Sequence, residues 1–209
     1  VFPDADPVHA AKGAAALKFL NAGQACISPN RLYVPNVLRS AFEETLCSRV
    51  EKLQTGNGME DGIGVGPLIN EAAVAKVEHQ VEDARDKGAG VPVGGVRLTE
   101  GEHGNGHFFA PTVLTDVQST MSIYREETFG PVAPVIGYDD AEEVIDLAND
   151  TNYGLAAYVY TRDIAVAMRA FEGLRFGIIG INDVNPTSAS VPFGGMGESG
   201  VGREGGHEG

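Results

Sequence analysis

Apolar residues recur at helical spacing in five segments of the chain, and a residue of the helix-capping type precedes four of them. Asp6 and Pro7 stand directly before the Ala-rich segment 8–19, as an N-cap residue and a first helical residue do. In the second segment, 37–53, the apolar side chains form one stripe, and Gly56 follows as a stop. The stripe consists of Val37, Ala41, Phe42, Leu46, Val50 and Leu53.

The other three helical segments follow Asn70, Asp140 and Asp163, whose side chains can cap a helix. Asp140 is also followed by Glu143 at the spacing of a capping box. The pattern predicts that the helix after Asn70 ends at Gly88. The side chains predicted to face the core are Val74, Val77, Val81 and Ala84 in this helix, and Ile164, Ala167, Met168 and Phe171 in the last one.

Six short runs rich in β-branched and aromatic residues alternate with these helices. Several of the runs are apolar at every position, which indicates strands that are covered on both faces. Strands that alternate with helices predict an α/β layer fold with a largely parallel sheet. We find no internal repeat, linker or break in composition, so the pattern predicts one domain over residues 1–209. The runs are residues 31–34, 91–95, 107–114, 131–138, 155–161 and 176–182.

The composition argues against several classes of protein. With 15 Lys or Arg and 29 Asp or Glu, the net charge of −14 would repel a phosphate backbone, so we expect no binding to nucleic acid. No run of about 18 or more apolar residues is present, so we expect no membrane-spanning helix. Two cysteines, without a spaced Cys/His cluster, argue against a disulfide framework and a metal site. A reducing cytoplasm is the simplest compartment for such a chain.

The amino-terminal residues VFPDADP lack the basic start and apolar core of a signal peptide, and they lack a methionine. We therefore expect the chain to be an excised or processed piece of a longer polypeptide.

The two cysteines have different surroundings. Cys47 lies within the second predicted helix, where a small buried hydrophobic side chain is expected. Cys26 lies in NAGQACISPNR, among small and polar residues that cannot continue the first helix. A partly exposed thiol there could act as a nucleophile, with donors from Asn21 and Gln24 and a charge from Arg31 favouring its thiolate. The alternative is a structural cysteine at a loop–strand junction, which the local sequence taken alone slightly favours.

Two further segments carry residues that could contact a ligand. In YREETFGPV, residues 124–132, Glu126 is interpreted as a solvated residue of an acidic turn. A carboxylate beside an aromatic residue on such a turn could also hold a sugar diol while the ring packs against a heterocycle. In VPFGGMGESGVGREGG, residues 191–206, the glycines match no phosphate-binding fingerprint and indicate tight turns instead. Phe193 could line a pocket there or fill a core.

Taken together, FLNAGQACISPNR, EETFGPV and PFGGMGESGVGREGG resemble the motifs of the NAD(P)-dependent aldehyde dehydrogenase superfamily. The motifs stand in the family's order, and the resemblance covers essentially the whole chain. It implies the family's catalytic-domain fold, a three-layer α/β/α sandwich. It also implies that the cofactor-binding domain and the final segment of the oligomerisation arm lie outside these residues.

The resemblance also implies roles for single residues. Cys26 would be the nucleophile, whose thiolate attacks an aldehyde to give a thiohemiacetal that releases hydride to the nicotinamide and becomes a hydrolysable thioester. Its backbone amide would contribute to an oxyanion hole, together with an Asn side chain upstream. Glu127 would hold the nicotinamide ribose, Phe129 would lie against the nicotinamide, and Phe193 would form a wall of the substrate tunnel. The family's general base belongs to a motif upstream of Val1.

Two positions depart from the pattern that the resemblance predicts. Gly197 stands where PFGGxKxSG has Lys, so no role is assigned to it. The arrangement INDVNPTSASVPFGG looks like that of semialdehyde dehydrogenases, in which Thr187 and Ser188 could hydrogen-bond the distal carboxylate of succinate semialdehyde or a related substrate. However, Leu20 stands where the succinate-semialdehyde enzymes carry Arg, which argues against that substrate.

The resulting hypothesis is a cytoplasmic aldehyde dehydrogenase that uses NAD or NADP and forms a homodimer or homotetramer when intact. The isolated chain is expected to be inactive or nearly so. Two alternatives come from other classes of protein. One is a non-catalytic binding or assembly domain with a structural Cys26, and the other is a Cys-dependent hydrolase.

Overall fold

Six α-helices, two 3-10 helices and twelve strands form the part of the chain that the computed structural model describes, residues 1–207 and 209. The α-helices are α1 Pro7–Lys18, α2 Asn36–Val50, α3 Glu71–Asp86, α4 Ser122–Arg125, α5 Val144–Asn149 and α6 Ile164–Gly173. The 3-10 helices span Leu20–Gly23 and Gly101–Asn105. The strands are β1 Leu32–Pro35, β2 Gln54–Thr55, β3 Ile63–Val65, β4 Gly90–Val93, β5 Arg97–Leu98, β6 Phe108–Phe109, β7 Thr112–Thr115, β8 Val132–Tyr138, β9 Tyr153–Gly154, β10 Ala156–Val159, β11 Ile178–Ile181 and β12 Met196–Gly197.

Three of the predicted helix caps are confirmed. The Asp6 carboxylate accepts hydrogen bonds from the backbone N–H groups of Val8 and His9, at 2.9 and 3.1 Å. Asn70 and Asp163 cap α3 and α6 in the same way. Each bond satisfies an amide that has no partner within the helix. These caps explain why the starts of α1, α3 and α6 could be placed from the sequence.

The capping box predicted at Asp140 and Glu143 is wrong. The Asp140 carboxylate accepts from the backbone N–H of Glu142, two residues on, at 2.8 Å. This local bond makes a turn of residues 141–143, and α5 begins only at Val144. Aspartate readily forms such turns because its short side chain reaches its own backbone two residues on.

The predicted inward face of α6 is confirmed at Ala167 and is wrong at its three larger residues. Ile164 is 77% exposed, and Met168 and Phe171 are exposed as well. The buried positions of α6 are Ala167 and Ala170. The helix packs through its small side chains, which permit close approach, so its larger apolar residues point outward.

The stripe of α2 is confirmed at Phe42, Leu46 and Val50, which are buried. Its amino-terminal part is not confirmed, because Val37 and Ala41 are exposed. Helical periodicity identifies which residues share a face, but it does not show how far along the helix the core extends.

The central sheet has the strand order β1-β8-β7-β4. β1 and β7 both pair in parallel with β8, and β4 pairs antiparallel with β7 at the edge. β10 and β11 form a further parallel pair. The predicted α/β class with a largely parallel sheet is therefore confirmed. The predicted run 107–114 divides into β6 and β7, and Pro111 between them has no N–H to contribute to a ladder.

Two connections to the sheet determine where the candidate site lies. Residues 26–31 lead into β1, and residues 126–131 lead into β8. β1 and β8 are parallel neighbours, with Leu32 opposite Val135. Both connections therefore lie at the same end of the sheet, where these two strands begin. None of the described helices combines the length and the apolar character that a membrane crossing needs.

Candidate active site

Cys26 is an exposed residue on the loop between the first 3-10 helix and β1. Just before it, Asn21, Ala22 and Gly23 have φ angles of +50°, +57° and +73°. Non-glycine residues in this left-handed region each cost about 1–2 kcal/mol. Backbone strain of this kind persists only where the surrounding structure enforces it, and it is concentrated at functional sites.

Hydrogen bonds fix the loop on both sides of Cys26. Gln24 accepts from the backbone N–H of Ile69 at 2.9 Å and donates to the carbonyl of Pro67 at 3.2 Å. On the other side, the Tyr158 hydroxyl donates to the carbonyl of Ile27 at 2.9 Å. These contacts hold the backbone while leaving the thiol exposed.

The side chains predicted to favour the Cys26 thiolate are engaged elsewhere. Asn21 donates to the carbonyl of Gln24, and Gln24 is bound to the 67–69 segment. The Arg31 guanidinium donates to the Tyr33 hydroxyl and to carbonyls at the end of α5, among them that of Ala148. These donors satisfy backbone carbonyls at a helix end and in a strained loop. The local sequence could not reveal that the side chains are used in this way.

The Cys26 loop touches the EETFGPV loop through two glycines. A Cβ atom on Gly23 would overlap the carbonyl oxygen of Gly130. A Cβ atom on Gly130 would in turn overlap Cγ2 of Val77 in α3. Glycine is therefore required at both positions for the two loops and α3 to pack at this distance.

Glu127 and Phe129 lie on the second loop, and both side chains are exposed. Phe129 is 37% exposed and has a φ of +49°, so its backbone is also in the left-handed region. The Lys76 ammonium donates to the carbonyl of Glu127 at 3.1 Å. Glu126 is exposed too, as its interpretation as a solvated turn residue predicts.

A cavity of about 420 Å³ opens beside Cys26. Cys26, Glu127 and Tyr158 line it, and most of the remaining lining residues are apolar. The structure therefore brings together Cys26 and Glu127, which are about 100 residues apart in the sequence. Burial raises the pKa of Tyr158, and a charge on Cys26 would raise it further, so its hydroxyl stays protonated.

The three residues predicted to bind substrate do not line this cavity, although Val184, Glu198 and Ser199 of the same segment, which follows β11, do. Phe193 is half-buried and exchanges two backbone hydrogen bonds with Glu204. The Thr187 hydroxyl donates to Asn185, and the Ser188 hydroxyl pairs with that of Ser190. Within the described residues, no group of three or more His, Cys, Asp or Glu side chains could hold a metal ion.

Lys18, in the last turn of α1, is a feature that the sequence pattern missed. Its side chain is 1% exposed, although lysine is rarely buried. Burial lowers its pKa from 10.5 to about 7, an effect that the negative charge of Glu127 partly opposes. The surrounding Ala-rich sequence gives no sign that this lysine, unlike Lys12, points inward.

Buried Lys18 predicts a pH-dependent stability. Between pH 7 and 10.5 the unfolded chain holds a proton on Lys18 that the folded chain releases, so the free energy of unfolding should rise with pH across this range. Lys18→Met should remove that rise and increase the free energy of unfolding at pH 7 by about 1–4 kcal/mol, because a buried ammonium is costly. Chemical denaturation at several pH values measures both effects. Lys12→Met, at an exposed position of the same helix, is the control, and an unchanged pH slope in Lys18→Met would contradict the prediction.

Residues 1–209 match the aldehyde dehydrogenase family along their whole length, so the chain belongs to this family. It is 48% identical over 205 residues to the NADP(+) succinate-semialdehyde dehydrogenase GabD of Escherichia coli (strain K12), covering 98% of this chain and 42% of that protein. It is 47% identical over 205 residues to a glutarate-semialdehyde dehydrogenase of Pseudomonas putida, with the same coverage of the two proteins.

Among solved structures, that of succinate-semialdehyde dehydrogenase from Burkholderia pseudomallei matches with a TM-score of 0.94 and 48% identity. The match covers 100% of this chain and 42% of that one, so the chain spans about two fifths of the length of these relatives. The predicted resemblance and the catalytic-domain fold are thereby confirmed.

Proposed function

We propose that these 209 residues are the catalytic domain of a longer polypeptide that oxidises an aldehyde to a carboxylic acid with NAD or NADP. The observation that carries the proposal is the shared cavity, which an exposed cysteine and an exposed glutamate from separate motifs both line. Family membership supports the same reaction. The free state of both cysteines agrees with a reducing cytoplasm, and we propose a homodimer or homotetramer for the intact form.

The residues of the second loop fit a nicotinamide cofactor. The exposed Glu127 carboxylate is an acceptor for ribose hydroxyl groups, and the exposed ring of Phe129 offers a flat apolar surface. Both lie on a loop that packs directly against the loop of Cys26. When bound, the cofactor supplies the hydride acceptor.

We propose for Cys26 the chemistry that the family resemblance implies, which its exposure permits. The thiolate attacks the aldehyde carbon, a C–S bond forms, and the carbonyl electrons move to oxygen, which the backbone N–H of Cys26 can stabilise. As the carbonyl re-forms, hydride leaves that carbon, and a thioester to Cys26 remains. Water then attacks the thioester, which releases the carboxylic acid and restores the thiol. No residue of this chain is assigned as the base that activates that water.

The substrate class that we propose is a short aldehyde with a distal carboxylate. GabD and the Pseudomonas putida relative are named for succinate and glutarate semialdehyde, which share that group. The hydroxyls of Thr187 and Ser188 are candidate donors to it, on a segment that is largely exposed. Leu20, which is 55% exposed beside the strained turn, adds an apolar rather than a cationic surface.

Steady-state kinetics of the intact polypeptide test both the proposed reaction and the proposed substrate class. Formation of NADH or NADPH is measured with succinate semialdehyde, glutarate semialdehyde and butanal, a neutral aldehyde of similar length. We expect kcat/KM for a carboxylated aldehyde to exceed that for butanal about 10–100-fold, because charge-assisted hydrogen bonds favour the anion. Equal values would reject the substrate class, and the absence of reduced cofactor with every aldehyde would reject the reaction.

The isolated 209-residue chain should be inactive or nearly so. Loss of the water-activating base alone lowers the rate by about 10²–10⁴-fold, and the missing cofactor-binding residues lower it further. The measurement compares the rate of NAD(P)H formation by this chain with that of the intact polypeptide at equal concentration. Robust cofactor-linked oxidation by the isolated chain would contradict the proposal that the base and further cofactor-binding residues lie outside it.

A further inference from the structure

The side chain of Asn30 joins the two loops of the candidate site by a pair of hydrogen bonds. Its Nδ2 donates to the carbonyl of Glu126 at 2.9 Å, and its Oδ1 accepts from the backbone N–H of Thr128 at 3.0 Å. The two bonded residues lie on either side of Glu127. Asn30 itself lies on the Cys26 loop, four residues after the cysteine.

This pair of bonds differs from the hydrogen bond that Lys76 makes to the Glu127 loop. Lys76 donates to the carbonyl of Glu127 from an exposed position on α3, where its long side chain is solvated. Thr128, in contrast, is fully buried, so its backbone N–H has no access to water in place of Asn30. The Asn30 bonds also run between the two loops, whereas the Lys76 bond ties the Glu127 loop to α3.

We propose that Asn30 is a positioning residue for the cofactor, which holds the backbone on both sides of Glu127 so that its carboxylate keeps a fixed place relative to Cys26. The inference rests on the proposed function, in which Glu127 binds the nicotinamide ribose. Without Asn30 the loop spends part of its time in other arrangements, and the apparent affinity for the cofactor falls by the competent fraction. The Cys26 side of the site keeps its own anchors, Gln24 and Tyr158.

Asn149 provides a matched control for a purely structural effect. Its Nδ2 donates to the carbonyl of Gly173 and its Oδ1 accepts from the backbone N–H of Arg175, both at 2.8 Å. The spacing of the two bonded residues is therefore the same as at Asn30. Asn149→Ala removes an equivalent pair of bonds at the ends of α5 and α6.

The experiment measures steady-state kinetics of Asn30→Ala and Asn149→Ala in the intact polypeptide, with NAD and NADP varied separately from the aldehyde. We expect Asn30→Ala to raise the KM for the cofactor about 5–30-fold, while kcat and the KM for the aldehyde change less than about threefold. Asn149→Ala should leave all three constants near those of the unaltered protein. An unchanged cofactor KM in Asn30→Ala, or an equal rise in both variants, would overturn the proposal.

Asn30→Asp decides the question if Asn30→Ala does not fold. The carboxylate has the same shape and still accepts from Thr128, but it cannot donate to the carbonyl of Glu126 and repels that oxygen. Its cofactor KM should rise at least as much as in Asn30→Ala, and an unchanged value would also overturn the proposal.

Hydrogen exchange at the Thr128 amide separates this inference from the proposed function. Exchange should accelerate in Asn30→Ala and stay unchanged in Asn149→Ala, whatever reaction the protein catalyses. If the unaltered protein forms no NADH or NADPH, the proposed function fails. The exchange result then still tests whether Asn30 holds the backbone around Glu127. If the protein is active and the Thr128 amide exchanges at the same rate without Asn30, the inference fails alone.

Discussion

Cys26→Ala in the intact polypeptide should lower kcat for aldehyde oxidation by about 10⁴-fold or more. Removing a covalent nucleophile abolishes the path that divides the reaction into two easier steps, and such losses reach this size in other enzymes. The stability of the fold should change little, since the Cys26 side chain is exposed. The measurement is the initial rate of NAD(P)H formation at saturating aldehyde, together with the thermal midpoint of unfolding.

Cys47→Ala is the matched control. Cys47 is half-buried on α2, and burial together with nearby carboxylates raises the pKa of its thiol, so it is a weak nucleophile at neutral pH. The Cys47→Ala variant should keep its activity within about threefold, because no step of the reaction uses that residue. Activity that survives in Cys26→Ala would instead favour a different nucleophile and a structural role for Cys26.

Gly23→Ala should lower the free energy of unfolding more than any other single substitution in the two loops of the site. The left-handed φ of +73° costs an alanine about 1–2 kcal/mol, and overlap of the new Cβ with the carbonyl of Gly130 costs about 1–3 kcal/mol more. The free energy of unfolding should therefore fall by about 2–5 kcal/mol. Because the two loops must separate to relieve the overlap, cofactor-linked activity should be lost as well.

Gly58→Ala controls for the general effect of replacing a loop glycine. A Cβ atom on Gly58 would meet no other atom within 4 Å, and the backbone there is not left-handed. Its replacement should therefore change the free energy of unfolding by less than about 0.5 kcal/mol. Urea denaturation of both variants gives the comparison. A loss at Gly23 no larger than at Gly58 would show that the two loops are not packed as the structure has them.

Much of the fold could be predicted from local patterns. Asp6, Asn70 and Asp163 cap helices because their short side chains bond amides only a few residues away, which is a property of the sequence itself. The main strands are also recognisable locally, because they are continuous apolar runs in the sequence. The two- and three-residue strands, such as β2 and β9, carry too few residues to form a pattern.

Features that depend on distant neighbours could not be predicted in this way. The outward face of α6 and the inward side chain of Lys18 are fixed by what packs against each helix, not by helical spacing. Gln24 and Arg31 bind carbonyls that are 43 and 117 residues away in sequence, so the local sequence could not show that these side chains are engaged away from Cys26. The pairing of the Cys26 and Glu127 loops was expected only from the family's motifs, and the parallel neighbours β1 and β8 supply its physical basis.

The most direct test of Cys26 as the nucleophile is to trap its acyl intermediate. The intact polypeptide is mixed with NAD or NADP and an aldehyde deuterated at the carbonyl carbon, quenched in acid and digested for mass spectrometry. We predict an acyl group without deuterium on the peptide that contains Cys26, formed only when the cofactor is present, with the deuterium in the reduced cofactor. Turnover with the acyl group on another residue, or an acyl group on Cys26 that forms without cofactor, would contradict the proposed chemistry.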